Sequence, residues 1–339
     1  MSSAVLPDIT VSIASYNTRE LLRLCLAALV AREDEGEASL QIIVADNGST
    51  DGSIEMVRDE FSRVLALETG GNLGYGRANN LAFEHAQGRY FFVLNSDTEV
   101  QPGALSTQRD FLDAHPEAGA TGGRLIYPDG RPQTSYGCDP SFKGIFNEQV
   151  GIDKLRSRLR PSTSTQNDEA ATSSNELQAN ESQGNESSRE VEQICGACQF
   201  VRREAYAQVG GFDPAYFMYH EDVDLNIRLR RAGWKLFFVP DARIVHHLGA
   251  SSERDWQTRA RMISALNKSR YYYYYQHEGK GQGQALKAMF ITGAALRLFS
   301  WSFMALLPSR RGVAAREKVK LFREVLRQTS RMSPHNPRA

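Results

Sequence analysis

The segment LQIIVADNGSTDGS, residues 40–53, decides the fold class. Its first half is a continuous apolar run, typical of a strand buried on both faces, and its second half is a polar, glycine-containing loop. The segments ITVSIAS (9–15), RVLALET (63–69) and RYFFVLNSD (89–97) are further apolar runs that lead into polar loops. Apolar residues at helical spacing fill the intervals between them. Strands alternating with helices predict a mostly parallel, doubly wound α/β sheet.

The polar loops after these strands are the candidate binding region, because ligands of such sheets sit beyond the carboxyl ends of the strands. Asn17, followed three residues later by Glu20, also predicts a capping box at the start of the first helix. The loops are ASYN (14–17), ADNGSTDGS (45–53), TGGNLGYG (69–76) and NSDTE (95–99).

The composition of the 339-residue chain is that of a globular protein, with 41% hydrophobic and 24% charged residues and no net charge. Four cysteines are too few for a disulfide framework in a chain of this length. Cys195 and Cys198 form a C-x-x-C without the second pair that a zinc site needs, so we expect both to pack beneath a loop. The opening residues do not resemble a signal peptide, which predicts a cytoplasmic protein. We expect no nucleic-acid partner and leave a homo-oligomer open.

Charge is unevenly distributed along the chain. Residues 161–192 carry seven acids against one base and few bulky apolar side chains, so residues 157–192 are expected to be a disordered acidic insertion. Between Arg310 and Arg331 there are eight Lys or Arg residues against two Glu. This contrast predicts different partners for different parts of the chain.

Two of the loops suggest phosphate and metal binding. LGYGRAN (73–79) nearly matches the dinucleotide fingerprint G-x-G-x-x-G, with Asn79 at the third glycine, so a nicotinamide-dependent oxidoreductase stays open as an alternative. Asp97 ends an apolar strand, where one carboxylate together with substrate phosphates suits Mg²⁺. His246 and His247 are adjacent on an extended segment, so at most one of them faces a given site.

The segment FMYHEDVDLNIRLRRAGW (217–234) places Glu221, Asp222 and Asp224 at the start of a predicted helix. Carboxylates are favoured there by the helix dipole, so this cluster alone does not indicate a function.

Together and in this order, these motifs resemble inverting family 2 glycosyltransferases of GT-A fold. The likeness is strongest to bacterial rhamnosyltransferase-type members, which extend lipid-linked or cell-surface polysaccharides. It covers residues 8–155 and 193–252. It implies a GT-A, Rossmann-like, mostly parallel sheet flanked by helices. It divides the chain into a nucleotide-sugar half (1–156), the insertion, an acceptor and catalytic half (193–252) and a C-terminal region (253–339).

The resemblance also implies residue roles. Asp222 corresponds to the catalytic base, with Glu221 as the alternative base. Asp97 and either His246 or His247 would hold Mg²⁺ or Mn²⁺, and Asp46 would bond the uracil or thymine ring. The implied nucleotide-binding residues are Ser15, Asn17, Asp46, Gly74, Gly76, Arg77, Asn79, Asn95 and Ser96.

The implied reaction needs this set of groups. One carboxylate takes the proton of the acceptor hydroxyl as that oxygen attacks the anomeric carbon, and a divalent cation offsets charge on the departing nucleoside diphosphate. The donor would be a dTDP- or UDP-sugar, with rhamnose favoured by the resemblance, and the acceptor a lipid-linked glycan. Neighbouring acids would raise the pKa of Asp222 and the helix N-terminus would lower it. A third reading, a non-catalytic scaffold, would require the base or metal residues to be missing.

The C-terminal region predicts helices and membrane association. Tyr271–Tyr275 lie beside basic residues and suit a membrane interface, unless they cover a helix face of the core. Residues 285–308 are apolar for about the length of a bilayer span but are interrupted by Arg297. We therefore expect helices lying in the interface, peripheral on the cytoplasmic face of the inner membrane, rather than a spanning helix.

Overall fold

The computed structural model describes residues 6–150, 187–247, 255–308 and 310–334. These residues form two compact units. The first contains described residues 6–139, 187–214 and 221–247, and the second contains 140–150, 215–220, 255–308 and 310–334. Most of the segment predicted as an insertion lies outside the described residues. Its last part does not: residues 189–191 form a strand, although they were predicted to belong to the disordered insertion.

The first unit is built on a nine-stranded sheet with the order β3-β2-β1-β4-β10-β6-β11-β5, in which β8 also pairs with β11. The strands of this sheet and of the separate β7–β9 pair are β1 Ile9–Ser15, β2 Leu40–Asp46, β3 Leu65–Glu68, β4 Tyr90–Asn95, β5 Thr98–Val100, β6 Ala118–Ile126, β7 Tyr136–Gly137, β8 Arg189–Val191, β9 Gln193–Ile194, β10 Cys198–Arg202 and β11 Lys235–His246.

Strands β3, β2, β1 and β4 are parallel to one another, as are β6 and β11. Strand β10 lies antiparallel between β4 and β6 and joins the two sets. The predicted mostly parallel sheet flanked by helices is confirmed. The helices are α1 Arg19–Asp34, α2 Ser53–Glu60, α3 Tyr75–Glu84, α4 Ala104–Ala114, α5 Phe142–Val150, α6 Arg203–Gln208, α7 Glu221–Arg231, α8 Trp256–His277, α9 Lys280–Met304 and α10 Arg310–Ser330.

The apolar run of β4 fills the core on both faces of the sheet. Tyr90, Phe92 and Leu94 belong to one buried cluster, and Phe91 and Val93 belong to the other. Successive side chains of a strand point to opposite faces, so a central strand covered on both sides must be apolar at every position. This is why the continuous apolar runs were sufficient to predict the sheet.

The second unit is helical, and its tyrosines are core residues. Tyr271, Tyr273 and Tyr274 of α8 are each 1% exposed. The Tyr274 hydroxyl donates to the Pro140 carbonyl at 3.0 Å, and Gln284 Nε2 donates to the Tyr271 hydroxyl at 2.8 Å. Of the two placements that the sequence allowed for the tyrosine run, the structure supports the core for these three residues. They cover a helix face, and their hydroxyls find partners inside the protein.

The long apolar segment forms the single helix α9. Leu286, Phe290 and Ala294 are buried on one face of it. Arg297, the cation that interrupts the segment, donates from Nη1 to Gln149 Oε1 of α5 at 3.1 Å. Within the described part of the chain, none of the helices combines the length and the apolarity needed to cross a bilayer.

Candidate active site

The carboxyl ends of the parallel strands meet at one edge of the sheet. Ser15 at the end of β1 lies opposite Asp46 of β2, and Ala14 lies opposite Asn95 of β4. On the other side of β4, the antiparallel pairing sets Leu94 opposite Cys198, which brings in the loop before β10. The backbone N–H of Asn95 donates to the Ala197 carbonyl at 3.0 Å. The loop of residues 195–197, which includes the middle of the C-x-x-C, therefore joins the loops predicted to be functional.

The β1 and β2 loops are fastened to each other by side chains. Asp46 Oδ2 accepts hydrogen bonds from the N–H groups of Gly48 (3.1 Å) and Ser49 (2.9 Å), which fixes the turn after β2. Asn17 has a φ of 53°, and its Oδ1 accepts the Thr50 N–H at 2.8 Å. The predicted capping box is wrong, because the carboxamide of Asn17 bridges to the neighbouring loop instead of capping α1. A chain of hydroxyls extends this edge, from Ser15 through Thr18 to Ser96.

The residues of the LGYGRAN motif mostly hold α3 in place. Asn79 is fully buried: its Oδ1 accepts from Ser12 Oγ at 2.7 Å and its Nδ2 donates to the Tyr75 carbonyl at 3.0 Å. The predicted contact of Asn79 with ribose or phosphate is therefore not available. At Gly76, a Cβ would lie 2.8 Å from Phe212 Cβ, so close packing requires this glycine. Arg77 Nε donates to the Pro214 carbonyl at 3.0 Å, and Gly74 precedes the helix with a φ of 88°.

Strand pairing brings one of the two predicted histidines to Asp97. The end of β11 runs antiparallel to β5, with His246 opposite Thr98, and His246 Nε2 lies 3.3 Å from Asp97 Oδ1. His247 points the other way, with its Nε2 2.5 Å from Glu99 Oε1. The structure thus pairs Asp97 with His246 and not with His247, as the alternation along an extended segment requires.

Gln133 sets the protonation pattern of His246. Gln133 Nε2 donates to the His246 carbonyl at 2.6 Å, so its Oε1, 3.0 Å from His246 Nδ1, is left to accept the ring N–H. In the neutral ring, Nε2 then carries a lone pair directed at the Asp97 carboxylate. Burial raises the pKa of Asp97, but when a proton is also present on His246 Nε2, the hydrogen bond and charge of the ring outweigh burial and hold that pKa below its usual range.

Two electron-rich atoms that face each other need a proton or a cation between them. One carboxylate and one imidazole suit Mg²⁺ or Mn²⁺ when substrate phosphates supply further oxygens, so the residues present fit such a metal. Among the residues that the structure describes, no three His, Cys, Asp or Glu side chains come together as a metal site. Protein ligands alone would therefore leave the ion incompletely coordinated.

The acid cluster lies at the start of α7, directly after two residues with an unusual backbone conformation. Tyr219 and His220 have φ values of 69° and 64°, a region that non-glycine residues rarely adopt and that is enriched at functional sites. Of the acids that follow, Asp224 is taken up by an ion pair, with its Oδ2 2.6 Å from Arg228 Nη2. The other two acids of this first turn are Glu221 and Asp222.

Two backbone donors hold the Asp222 carboxylate. Gly196 N–H donates to Oδ2 at 2.9 Å, and Val223 N–H donates to Oδ1 at 2.9 Å. Burial nevertheless raises the pKa of Asp222. Burial, and then the charge of Asp222, also raise the pKa of Glu221. Glu221 Oε2 is buried and has no hydrogen-bond partner among the described residues. The pair therefore favours one proton on Glu221 and one negative charge on Asp222.

Tyr75 and Gly196 are linked to Asp222 by hydrogen bonds, and neither residue was predicted from the sequence. The Tyr75 hydroxyl donates to the Gly196 carbonyl at 2.8 Å, while the N–H of the same glycine donates to Asp222. Burial raises the pKa of Tyr75 well above its usual value, and the charges of Glu221 and Asp222 add to this. Both residues stood within quoted motifs, Tyr75 between the glycines of LGYG and Gly196 between the two cysteines. No local signal links positions so distant in sequence.

Cys195 lies within electrostatic reach of both acidic groups of the site. Burial raises the pKa of its thiol to about 12, and the charges of Asp222 and Asp97 contribute to the increase. A thiol that stays protonated is a poor nucleophile.

Comparisons with known proteins agree with this geometry. The model of "Glycosyl transferase family 2" matches residues 10–210, and that of "Glycosyl transferase family group 2" matches residues 162–310. The chain is 36% identical over 247 residues to the N-acetylglucosaminyl-diphospho-decaprenol L-rhamnosyltransferase of Mycobacterium tuberculosis, covering 69% of this chain and 74% of that protein. It is 42% identical to the rhamnosyltransferase WbbL of Escherichia coli, over 57 residues that cover 17% of this chain and 22% of that protein.

A solved structure supports the same fold. The crystal structure of GalNAc-T7 with UDP, GalNAc and Mn²⁺ superposes with a TM-score of 0.52 and 15% identity, covering 85% of this chain and 55% of that one. Between the two enzyme classes left open by the sequence, the family matches decide against the oxidoreductase. The chain belongs to glycosyl transferase family 2 and is a glycosyltransferase of GT-A fold.

Proposed function

We propose that the protein transfers rhamnose, with inversion, from dTDP-rhamnose to a lipid-linked glycan acceptor. The sugar and acceptor class are supported by 36% identity to a relative whose name specifies an L-rhamnosyl transfer to N-acetylglucosaminyl-diphospho-decaprenol. The observation that carries the chemistry is the Asp222 carboxylate, half-buried at the start of α7 and oriented by the Gly196 N–H. A UDP-sugar is the alternative donor.

In this proposal Asp222 is the general base. It takes the proton of an acceptor hydroxyl while that oxygen forms a bond to the anomeric carbon, and the bond from this carbon to the diphosphate breaks on the opposite side. The electron pair leaves with the nucleoside diphosphate, and the anomeric configuration inverts. The raised pKa of Asp222 makes it a stronger base than an ordinary carboxylate, and such catalysis contributes about 10²–10⁴-fold to the rate.

Glu221 serves as a neutral neighbour in this proposal. Its raised pKa keeps a proton on it, so the charge of the pair stays on Asp222. The unpartnered Oε2 of Glu221 is then free to bond a hydroxyl of the acceptor or donor sugar. Glu221 remains the alternative base if Asp222 proves dispensable.

Asp97 and His246 would hold Mg²⁺ or Mn²⁺ together with oxygens of the donor diphosphate. When bound, the ion offsets the negative charge that develops on the leaving group. The orientation of His246 supports this proposal. Gln133 accepts the Nδ1–H of the neutral ring, so the lone pair of Nε2 faces the Asp97 carboxylate. His247, engaged with Glu99, would act outside this pair.

The nucleotide would lie along the strand ends. Its proposed contacts there, supported by the alignment of β1, β2 and β4, are Ser15, Asn17, Asp46, Gly74, Arg77, Asn95 and Ser96. The protein would work at the periphery of the membrane on its cytoplasmic side, because a lipid-linked acceptor presents its reactive hydroxyl at the bilayer surface.

A panel of nucleotide sugars tests the proposal. The full chain is incubated with Mn²⁺ or Mg²⁺, a short-chain N-acetylglucosaminyl-diphospho-polyprenol and labelled dTDP-rhamnose, or UDP- and GDP-sugars in parallel. We expect transfer from dTDP-rhamnose, with a product whose anomeric configuration is opposite to that of the donor. Transfer of another sugar in its place, or retention of configuration, would overturn the proposal.

A further inference from the structure

The C-terminal half of α9 carries an apolar face that none of the described residues of its unit covers. In the first half of the helix, Leu286, Phe290 and Ala294 point into the core of the second unit. Beyond them the large apolar side chains turn outward: Leu296 is 62% exposed, Phe299 77%, Phe303 72% and Leu306 79%. We call these four residues the apolar stripe.

The spacing of the stripe makes it continuous. Steps of three and four residues place side chains on one face of a helix, so Leu296, Phe299 and Phe303 are neighbours. Leu306 follows in the turn that ends the helix. Single exposed apolar residues are common on proteins, but a contiguous set of two Phe and two Leu marks an interaction surface. Tyr271, Tyr273 and Tyr274 of α8, in contrast, are buried.

The sequence around the stripe is rich in cations. From Gly279 to Arg316 the sequence contains six Lys or Arg and no Asp or Glu. Gly312 abuts the Leu307 carbonyl, so α10 begins beside the end of the stripe. Val313 in this first turn is 61% exposed. Arg316 and Lys320, three and seven residues further along the same helix face, are exposed as well.

We propose that the apolar stripe docks on a lipid bilayer with anionic head groups. Phe299 and Phe303 would enter the boundary between head groups and acyl chains, while the neighbouring cations lie among the phosphates. A second copy of the chain is the weaker occupant, because stripe against stripe would bring two cationic surroundings together. The proposal deepens the proposed function by naming the surface from which the acceptor is reached, and it rests on that function only for the acceptor's identity.

Vesicle flotation tests this docking surface on the full-length protein. The probes are phosphatidylcholine vesicles with and without phosphatidylglycerol. We expect wild-type protein to float with the anionic vesicles, less so at high salt, and Phe299→Ser/Phe303→Ser to bind at least about tenfold more weakly. Leu296→Ser should weaken binding, while Leu24→Ser, which removes a 45% exposed leucine from α1, should not. The thermal midpoints should stay close to wild type, because these side chains are already in water.

Two results would overturn the docking proposal. One is equal vesicle binding by wild type and the double Phe variant. The other is absence of vesicle binding together with self-association, seen by analytical ultracentrifugation, that the double Phe variant abolishes. Rhamnosyl transfer to a water-soluble acceptor is measured on the same proteins. If wild type shows no such transfer but its vesicle binding needs the stripe, the proposed function fails and the docking surface stands.

Discussion

Gly196 and Asp222 are in contact through a geometry that only glycine permits. The Gly196 N–H lies 2.9 Å from Asp222 Oδ2, and a Cβ at residue 196 would lie 2.7 Å from the same oxygen and 2.9 Å from Asp222 Cβ. Any side chain at residue 196 must displace the carboxylate or the loop. The carboxylate that we propose as the base is thus held by a residue 26 positions away in sequence.

We predict that Gly196→Ala lowers kcat by at least about tenfold, since it moves a base whose contribution is about 10²–10⁴-fold. Nucleotide affinity should change little, because the displaced group faces the acceptor. Steady-state kinetics and nucleotide titration on the same protein measure both effects. Gly281→Ala, where a Cβ meets nothing within 4 Å, is the matched control. A kcat within twofold of the control would show that the loop does not position Asp222.

Tyr75→Phe should lower kcat by about 2–10-fold, the value of one hydrogen bond, without changing KM for the donor. The Tyr75 hydroxyl acts through Gly196, so its removal should have a smaller effect in the Gly196→Ala background. Tyr206→Phe is the control, because that hydroxyl bonds Asn80 at 2.7 Å and not the loop. If the losses in kcat caused by Tyr75→Phe and Gly196→Ala were fully additive in the double variant, Tyr75 would not act through Gly196.

Glu221→Gln should change how stability depends on pH. A carboxyl whose pKa is higher in the folded protein favours folding below its ordinary pKa, and this advantage is lost as pH rises toward the folded value. Each pH unit in that window lowers the free energy of unfolding by about 1.4 kcal/mol, and a neutral glutamine removes the dependence. Denaturant unfolding from pH 4 upward should show the variant gaining on wild type, starting at about the ordinary carboxyl pKa of 4.3.

The surface residue Glu60 provides a control in which the pH dependence of stability has the opposite sign. A hydrogen bond from Arg23 lowers the pKa of Glu60, so Glu60→Gln should lose stability at neutral pH and approach wild type as pH falls. Parallel pH profiles for wild type and Glu221→Gln would mean that Glu221 ionises normally.

Gln133→Met should weaken the apparent affinity of the protein for Mn²⁺ by about 10–100-fold, which is the usual effect of removing the partner that orients a histidine ligand. The thermal midpoint with dTDP or UDP is measured while Mn²⁺ is titrated. Glu99→Gln is the control, since Glu99 contacts His247. The reverse outcome, an unchanged Gln133→Met and an impaired Glu99→Gln, would assign the metal to His247.

Much of the fold was predictable because its signals are local. Apolar runs such as residues 40–46 form strands covered on both faces, and polar loops after them mark the carboxyl edge. The role of Tyr271–Tyr275 was not predictable, because a tyrosine suits both a membrane interface and a core in which its hydroxyl has a partner. The choice between these depends on what α8 packs against.

The candidate site was predictable where family motifs mark it and not where distant segments meet. Asp97 and Asp222 lie in such motifs, whereas Gly196 reaches Asp222 only because β10 inserts antiparallel beside β4. Asn79 shows the converse, since its place in a glycine-rich motif suggested a ligand while its side chain bonds Ser12 in the core. The selection of His246 over His247 followed from the pairing of β11 with β5.

We propose that Asp222, and not its neighbour Glu221, removes the acceptor proton. Single-turnover transfer and nucleotide-diphosphate affinity, compared for Asp222→Asn and Glu221→Gln, test it most directly. We predict that Asp222→Asn lowers transfer by about 10²–10⁴-fold with nearly unchanged affinity, while Glu221→Gln stays within a few-fold of wild type. If Asp222→Asn retained turnover and Glu221→Gln lost it, Glu221 and not Asp222 would be the base.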